Sequence, residues 1–258
     1  MAKIIAVANQ KGGVGKTTSA VNIAAGLGMR NKKTLLIDID PQGNATSGLG
    51  IDKRTCGKTT YNMLVQGTRA EEIVKKTAFD NLDVLPAGID LAAAELEIMD
   101  LPERAYRLRR GIVMIKQNYD YIIIDCPPSL GLITNNALTA ADTILIPIQC
   151  EYYALEGLSQ LMNTVRIVKR NTNECLDLEG ILLTMYDGRL NLTQMVVNEV
   201  KQYFPDKVYE SVIPRGVRVS EAPSFGMPVI YYDKNCKGSI SYMNLVDEIL
   251  RKEEKLNG

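Results

Sequence analysis

Two lysines bracket a glycine-rich turn near the start of the chain: Lys11-Gly12-Gly13-Val14-Gly15-Lys16-Thr17-Thr18 follows the apolar run 4–8 after Asn9 and Gln10. Glycines leave backbone N–H groups free to converge on an anion, and a helix opening near Lys16 would add its positive dipole end. The ending Gly15-Lys16-Thr17 suits phosphate, with the lysine for the outer phosphates and the threonine hydroxyl for Mg²⁺. The usual spacing G-x-x-x-x-G-K-[ST] is not met, because Gln10 stands where the first glycine would fall. Lys11 is instead an extra cation in the loop. A tight strand-to-helix connection would also use such glycines; the apolar run before it and the helical pattern after it favour phosphate binding.

Carboxylates in two further motifs could serve the same site. Asp38 and Asp40 close the run 34–39 and precede Pro41-Gln42-Gly43-Asn44. Residues at i and i+2 share one side of a strand, so both would face the loop if the strand continued that far. Asp125 closes the apolar run 121–124 and precedes Cys126-Pro127-Pro128-Ser129. This is the form of a Walker B strand, whose aspartate binds Mg²⁺ directly or through water. Each aspartate could equally open a turn or cap a helix, as Asp-Pro often does. Three phosphate-site elements in the expected order weigh against that.

Composition narrows the chemistry further. The 258 residues contain no histidine, which removes His-based triads and His-ligated metals. The five cysteines, Cys56, Cys126, Cys150, Cys175 and Cys236, show no C-x-x-C pair and read as reduced small hydrophobes. Thirty basic and thirty acidic residues cancel, so no global field draws the protein to nucleic acid or anionic lipid. No apolar run reaches membrane-spanning length, and no signal peptide is expected.

The elements that must position these residues alternate along the chain. Strands are expected at 4–8, 34–39, 82–85, 121–126, 143–148, 180–185, 208–213 and 229–232. Helices are expected at 18–29, 105–118, 154–170, 192–204 and 239–255, the last with Ser239 as N-cap. Several strand runs are continuously apolar, as in parallel strands buried on both faces. The expected fold is α/β: a doubly wound, mostly parallel sheet flanked by helices, forming a single domain over 1–258. Such sheets bind ligands beyond the carboxyl ends of their strands.

The phosphate loop, the run Asp38-Ile39-Asp40-Pro41-Gln42-Gly43-Asn44 and the Asp125 strand together resemble the ParA/Soj partition ATPases. So do Pro147-Ile148-Gln149-Cys150-Glu151-Tyr152-Tyr153 and the segment from Pro214 through Arg215, Gly216 and Arg218 to Pro223. The resemblance implies ATP and Mg²⁺ as cofactors and a homodimer in the ATP state. It implies that Lys11 reaches the partner subunit's phosphates, that Lys16 acts within its own subunit, and that Gly12 to Thr18 cradle the nucleotide. Thr17 and Asp125 would hold Mg²⁺ with Asp38 behind them, and Asp40 would orient the attacking water. Pro214 and Gly216 would lie near the adenine; the family often has Asn where Gly216 stands. Non-specific DNA binding is implied for Arg189 and Arg218, with Arg215 a weaker candidate, although isolated arginines are ordinarily solvated surface charges. The basic stretch Arg104, Arg107, Arg109 and Arg110 reads as a solvated face.

The implied function is chromosome or plasmid partitioning by slow ATP hydrolysis. A ParB-type centromere-binding protein would stimulate it, in the cytoplasm and in association with the nucleoid. A MinD-like membrane ATPase shares the variant loop. The acid-bearing tail 245–256 reads instead as a docking helix, so no membrane partner is expected. A nucleotide-operated adaptor with negligible turnover is a further alternative, and a nitrogenase-type reductase would need cysteines placed differently.

Overall fold

The computed structural model describes residues 2–151 and 154–257. Its strands are β1 (Lys3–Val7), β2 (Thr34–Asp38), β3 (Lys75–Lys76), β4 (Leu82–Leu85), β5 (Tyr121–Asp125), β6 (Thr143–Gln149) and β7 (Asp177–Thr184). They form one sheet in the order β3-β4-β2-β5-β1-β6-β7. Every neighbouring pair is parallel except β3 and β4. Between the strands run α1 (Lys16–Met29), α2 (Asn44–Gly48), α3 (Thr60–Leu64), α4 (Leu91–Met99), α5 (Arg107–Ile112) and α6 (Leu132–Ala140). The second half adds α7 (Ala154–Asn171), α8 (Asn191–Tyr203), α9 (Val217–Glu221), α10 (Val229–Tyr232) and α11 (Lys237–Asn257).

Side-chain alternation explains why the strands are apolar throughout. Ile4, Ala6, Leu35, Ile37, Ile122 and Ile124 enter a core on one face of the sheet. Ile5, Val7, Leu36 and Ile123 enter a second core on the other, where α1 and α11 pack. Parallel strands covered by helices on both faces need this composition. The small residues of α1 let it lie close: a Cβ added at Gly28 would collide with the Asp80 carbonyl oxygen. The sheet is thus the expected doubly wound one, with β5 at its centre and β1 beside it, between β5 and β6.

Four details depart from the sequence reading. The run 229–232 is a helical turn, α10, capped by Pro228 and packed on α11, rather than a strand. A short apolar run does not distinguish these states by periodicity. The run 208–213 is extended beside β7 but makes only isolated bridges, Val208 with Ile181 and Pro214 with Tyr186. The N–H groups of Glu210 and Ser211 donate instead to the Glu248 carboxylate of α11, each at 3.0 Å. The helix expected at 105–118 is shorter: α5 ends at Ile112 and a 3₁₀ turn follows at Lys116–Asn118. Ser239 is not an N-cap, because α11 begins at Lys237 and the Ser239 hydroxyl donates back to the carbonyls of Val229 and Asp233.

Candidate nucleotide site

The loop after β1 is built for an anion. Gly13 (φ 74°) and Gly15 (φ 82°) adopt left-handed backbone, which costs side-chain-bearing residues, and an added Cβ at Gly12 or Gly13 would meet nothing within 4 Å. Gly15 caps α1 without a side-chain hydrogen bond, so the helix N-terminus remains open to a ligand. Lys16 is buried, 7% exposed, and its ammonium donates to the Lys11 carbonyl at 3.0 Å. Burial lowers its pKa, against the opposing pull of Asp125, then Cys126 and Asp40. The structure therefore brings Lys16, Asp125 and Asp40 around one spot.

The three aspartates have different surroundings. Asp125, at the end of β5, is fully buried, and neither of its carboxylate oxygens has a hydrogen-bond partner. The Thr17 hydroxyl stands close enough to favour its ionised form, though outside hydrogen-bond geometry. Burial first, and then the charge of Asp38, push its pKa well above the usual carboxylate range. Asp38 is also fully buried, yet its oxygens are engaged: Oδ2 accepts from the Thr46 N–H and hydroxyl, and Oδ1 from the Asp40 N–H. Burial outweighs those bonds and raises its pKa to about 6. β2 ends at Asp38, so the alternation that would place both carboxylates on one side stops there. Asp40 begins a turn, accepting from the Gln42 N–H at 2.9 Å, and is 7% exposed.

A hard cation fits the Asp125–Thr17 gap. Two orphaned carboxylate oxygens beside a hydroxyl lack the ligand that would repay their desolvation, and Mg²⁺ takes one or two carboxylates with phosphate and water oxygens. Asp38, already satisfied, organises the backbone behind them.

The other expected positions divide between a cavity beside the loop and the exposed surface. Pro214 and Gly216 line a cavity of about 330 Å³ that opens beside Gly15 and Thr18, with Met185, Val219 and Tyr242 on its walls. Its apolar lining next to a phosphate loop suits a planar base. Lys11 is half-exposed, and its ammonium pairs with Glu151 of its own chain. Tyr152 and Tyr153 of the motif after β6 lie outside the described residues. Arg189 is exposed and held by both oxygens of Asp187. Arg218 pairs with Glu221 and Asp233, and Arg215 borders the cavity. The Tyr186–Pro214 bridge sets the Arg189 and Arg215 loops side by side. Arg107 is not a solvated charge, since it donates to the carbonyls of Leu64 and Val65 at the end of α3. Sequence reasoning missed Asn9 and Thr184, which hold the loop through contacts distant in sequence, and it named Glu151 in a motif without foreseeing its pairing with Lys11.

The family model of the AAA domain matches residues 2–178. The sporulation initiation inhibitor protein Soj of Bacillus subtilis (strain 168) is 58% identical, over 96% of this chain and 98% of its own. The chromosome partitioning protein ParA of Myxococcus xanthus (strain DK1622) is 52% identical over 97% of this chain and 89% of its own. A solved structure of cobyrinic acid a,c-diamide synthase from Mycobacterium smegmatis, with bound ATP analogue and magnesium, shares 35% identity. It superposes with a TM-score of 0.85, covering 98% of this chain and 96% of that one. Fold and site thus define a P-loop ATPase that works with ATP and Mg²⁺. The chain belongs to the ParA/Soj family of partition ATPases.

Proposed function

We propose that this chain is a dimerising switch of chromosome or plasmid partitioning: ATP closes the dimer, the dimer binds DNA without sequence preference, and hydrolysis releases it. The observation that carries the reading is the unpartnered, fully buried Asp125 carboxylate facing Thr17 and Lys16. Such a carboxylate, costly in the empty site, is offset when a metal-bound phosphate arrives. In this reading Lys16 neutralises the β- and γ-phosphates, while Gly12 to Thr18 supply backbone N–H groups. Thr17 and Asp125 would hold Mg²⁺, which supplies charge neutralisation at the phosphates when bound. Asp40 orients the attacking water. Lys11 leaves Glu151 and reaches the partner subunit's phosphates, as an arginine finger does. A positioning carboxylate drives water deprotonation only weakly, so turnover is slow, and a ParB-type protein accelerates it.

Arg189, Arg215 and Arg218 form the DNA face, which places the ATP form on the nucleoid in the cytoplasm. The chain works as one ATPase domain over 1–258. A MinD-like reading requires a last helix free to meet lipid. Here Leu245, Val246 and Ile249 of α11 are fully buried, and α11 packs against α1. No described helix is long and apolar enough to cross a membrane. Sizing the protein with ATP, ADP or no nucleotide, each with and without DNA, tests the proposal. A dimer only with ATP, carried by DNA only in that state, is expected; a monomer under all conditions would overturn it.

A further inference from the structure

The strand end after Ile146 touches the phosphate loop at points that no nucleotide contact explains. β6 lies between β1 and β7, so the successive carbonyls of Pro147 and Ile148 point to opposite neighbours. On one side, the buried Asn9 amide donates to the Pro147 carbonyl at 2.7 Å, and its own oxygen accepts from the Lys11 N–H at 3.0 Å. On the other, the Thr184 hydroxyl at the end of β7 lies 3.1 Å from the Ile148 carbonyl and 2.8 Å from the Val14 carbonyl. One hydroxyl proton thus serves two buried acceptors, one in the sheet and one at the crest of the loop. Thr184 is 2% exposed, and its methyl lies 3.7 Å from where a Cβ on Gly15 would stand.

We propose that Thr184 is a positioning residue for the phosphate loop, its hydroxyl fastening the Val14 carbonyl to the end of β7 so that the N–H groups of the loop face the phosphates. The reasoning is directional. A peptide unit that turns its carbonyl toward Thr184 must turn its N–H the other way, toward the anion. Among the described residues no backbone N–H donates to the Val14 carbonyl, so without the hydroxyl the peptide is free to rotate. Valine has nearly the same shape as threonine, so Thr184→Val removes the bond and leaves the packing.

This inference rests on the phosphate-loop reading, and three variants separate the two. Binding of Mg²⁺-ATP and of Mg²⁺-tripolyphosphate is measured by calorimetric titration, with melting temperature recorded for each protein. Thr184→Val is expected to weaken both ligands about tenfold, the loss of one hydrogen bond to a buried acceptor. Thr184→Ser, which keeps the hydroxyl, is expected to restore binding to within about threefold. Thr139→Val removes a buried hydroxyl paired with Thr172, on the helix α6 away from the loop, and should lower melting temperature without changing affinity. Unchanged affinity in Thr184→Val overturns the inference, and so does a loss confined to ATP, which would make Thr184 a nucleoside contact. Lys16→Ala tests the reading beneath: if it binds ATP normally, the phosphate loop itself is misassigned.

Discussion

Replacing Asp125 by asparagine should make the nucleotide-free protein more stable while removing the benefit of Mg²⁺. Both buried carboxylates carry raised pKa values, so the folded form binds protons more tightly than the unfolded chain. For groups shifted this way, stability is fully present below about pH 4 and is lost as pH rises through the folded pKa. For Asp38, moving from 3.8 to about 6 corresponds to a cost on the order of 3 kcal/mol at neutral pH, at about 1.4 kcal/mol per pH unit. Asp125 shifts in the same direction through burial and the charge of Asp38. The substituted amide would carry no charge, so it escapes part of the desolvation cost of a buried polar group without a hydrogen-bond partner, about 1–3 kcal/mol. In a chain of this length that is a melting-temperature rise on the order of 5 °C near pH 7.5. The assay is scanning calorimetry of both proteins from about pH 5 to 8, without ligand, with ATP, and with ATP and Mg²⁺. Wild type should lose stability with rising pH and regain it with Mg²⁺-ATP. The variant should show a shallower pH slope and no added gain from Mg²⁺. A variant that melts lower than wild type without ligand, or that still gains stability from Mg²⁺, refutes the metal-gap reasoning.

Asp40→Ala should retain ATP-dependent dimerisation while phosphate release falls about a hundredfold or more, as expected for loss of a water-positioning carboxylate; normal release would remove Asp40 from the mechanism. Arg218→Glu should weaken DNA binding of the ATP form at low salt and make the logarithmic salt dependence shallower by about one per subunit, with ATP affinity unchanged. An unaltered DNA titration would place the DNA face elsewhere. Gly28→Ala should destabilise the fold by about 1–3 kcal/mol, because its Cβ would overlap the Asp80 carbonyl; equal melting temperatures would show that α1 can shift away.

What could be read from the chain depends on how local each cause is. β1, β2, β5 and β6 were legible to within a residue or so, because buried parallel strands leave uninterrupted apolar runs. The loop glycines and Lys16 were legible because phosphate binding needs them adjacent. Residues 208–213 were misread because Glu248, some forty positions later, takes the N–H groups of Glu210 and Ser211 and interrupts the pairing that Tyr209 and Ile213 make with β7. Residues 229–232 were misread because Pro228 and the packing on α11 decide their state. The contrast between Asp38 and Asp125 was hidden for the same reason: only the fold shows that Thr46 satisfies one carboxylate and nothing satisfies the other. Thr184 gave no signal at all, being a threonine at the end of one apolar run whose partner is a carbonyl at residue 14.

The carboxylate of Glu248 has a consequence beyond the segment it holds. At one margin of the sheet, β3 is two lysines long and runs antiparallel to β4. At the other, the segment 207–214 covers β7 in short touches, while Glu248 occupies the N–H groups of Glu210 and Ser211 that a strand from another molecule would seek. Neither margin offers a long row of free backbone groups, so sideways growth by strand addition is suppressed at both. Two copies of this chain would then have to meet through side-chain surfaces rather than by extending the sheet, so any contact between them is set by residue chemistry and not by backbone pairing.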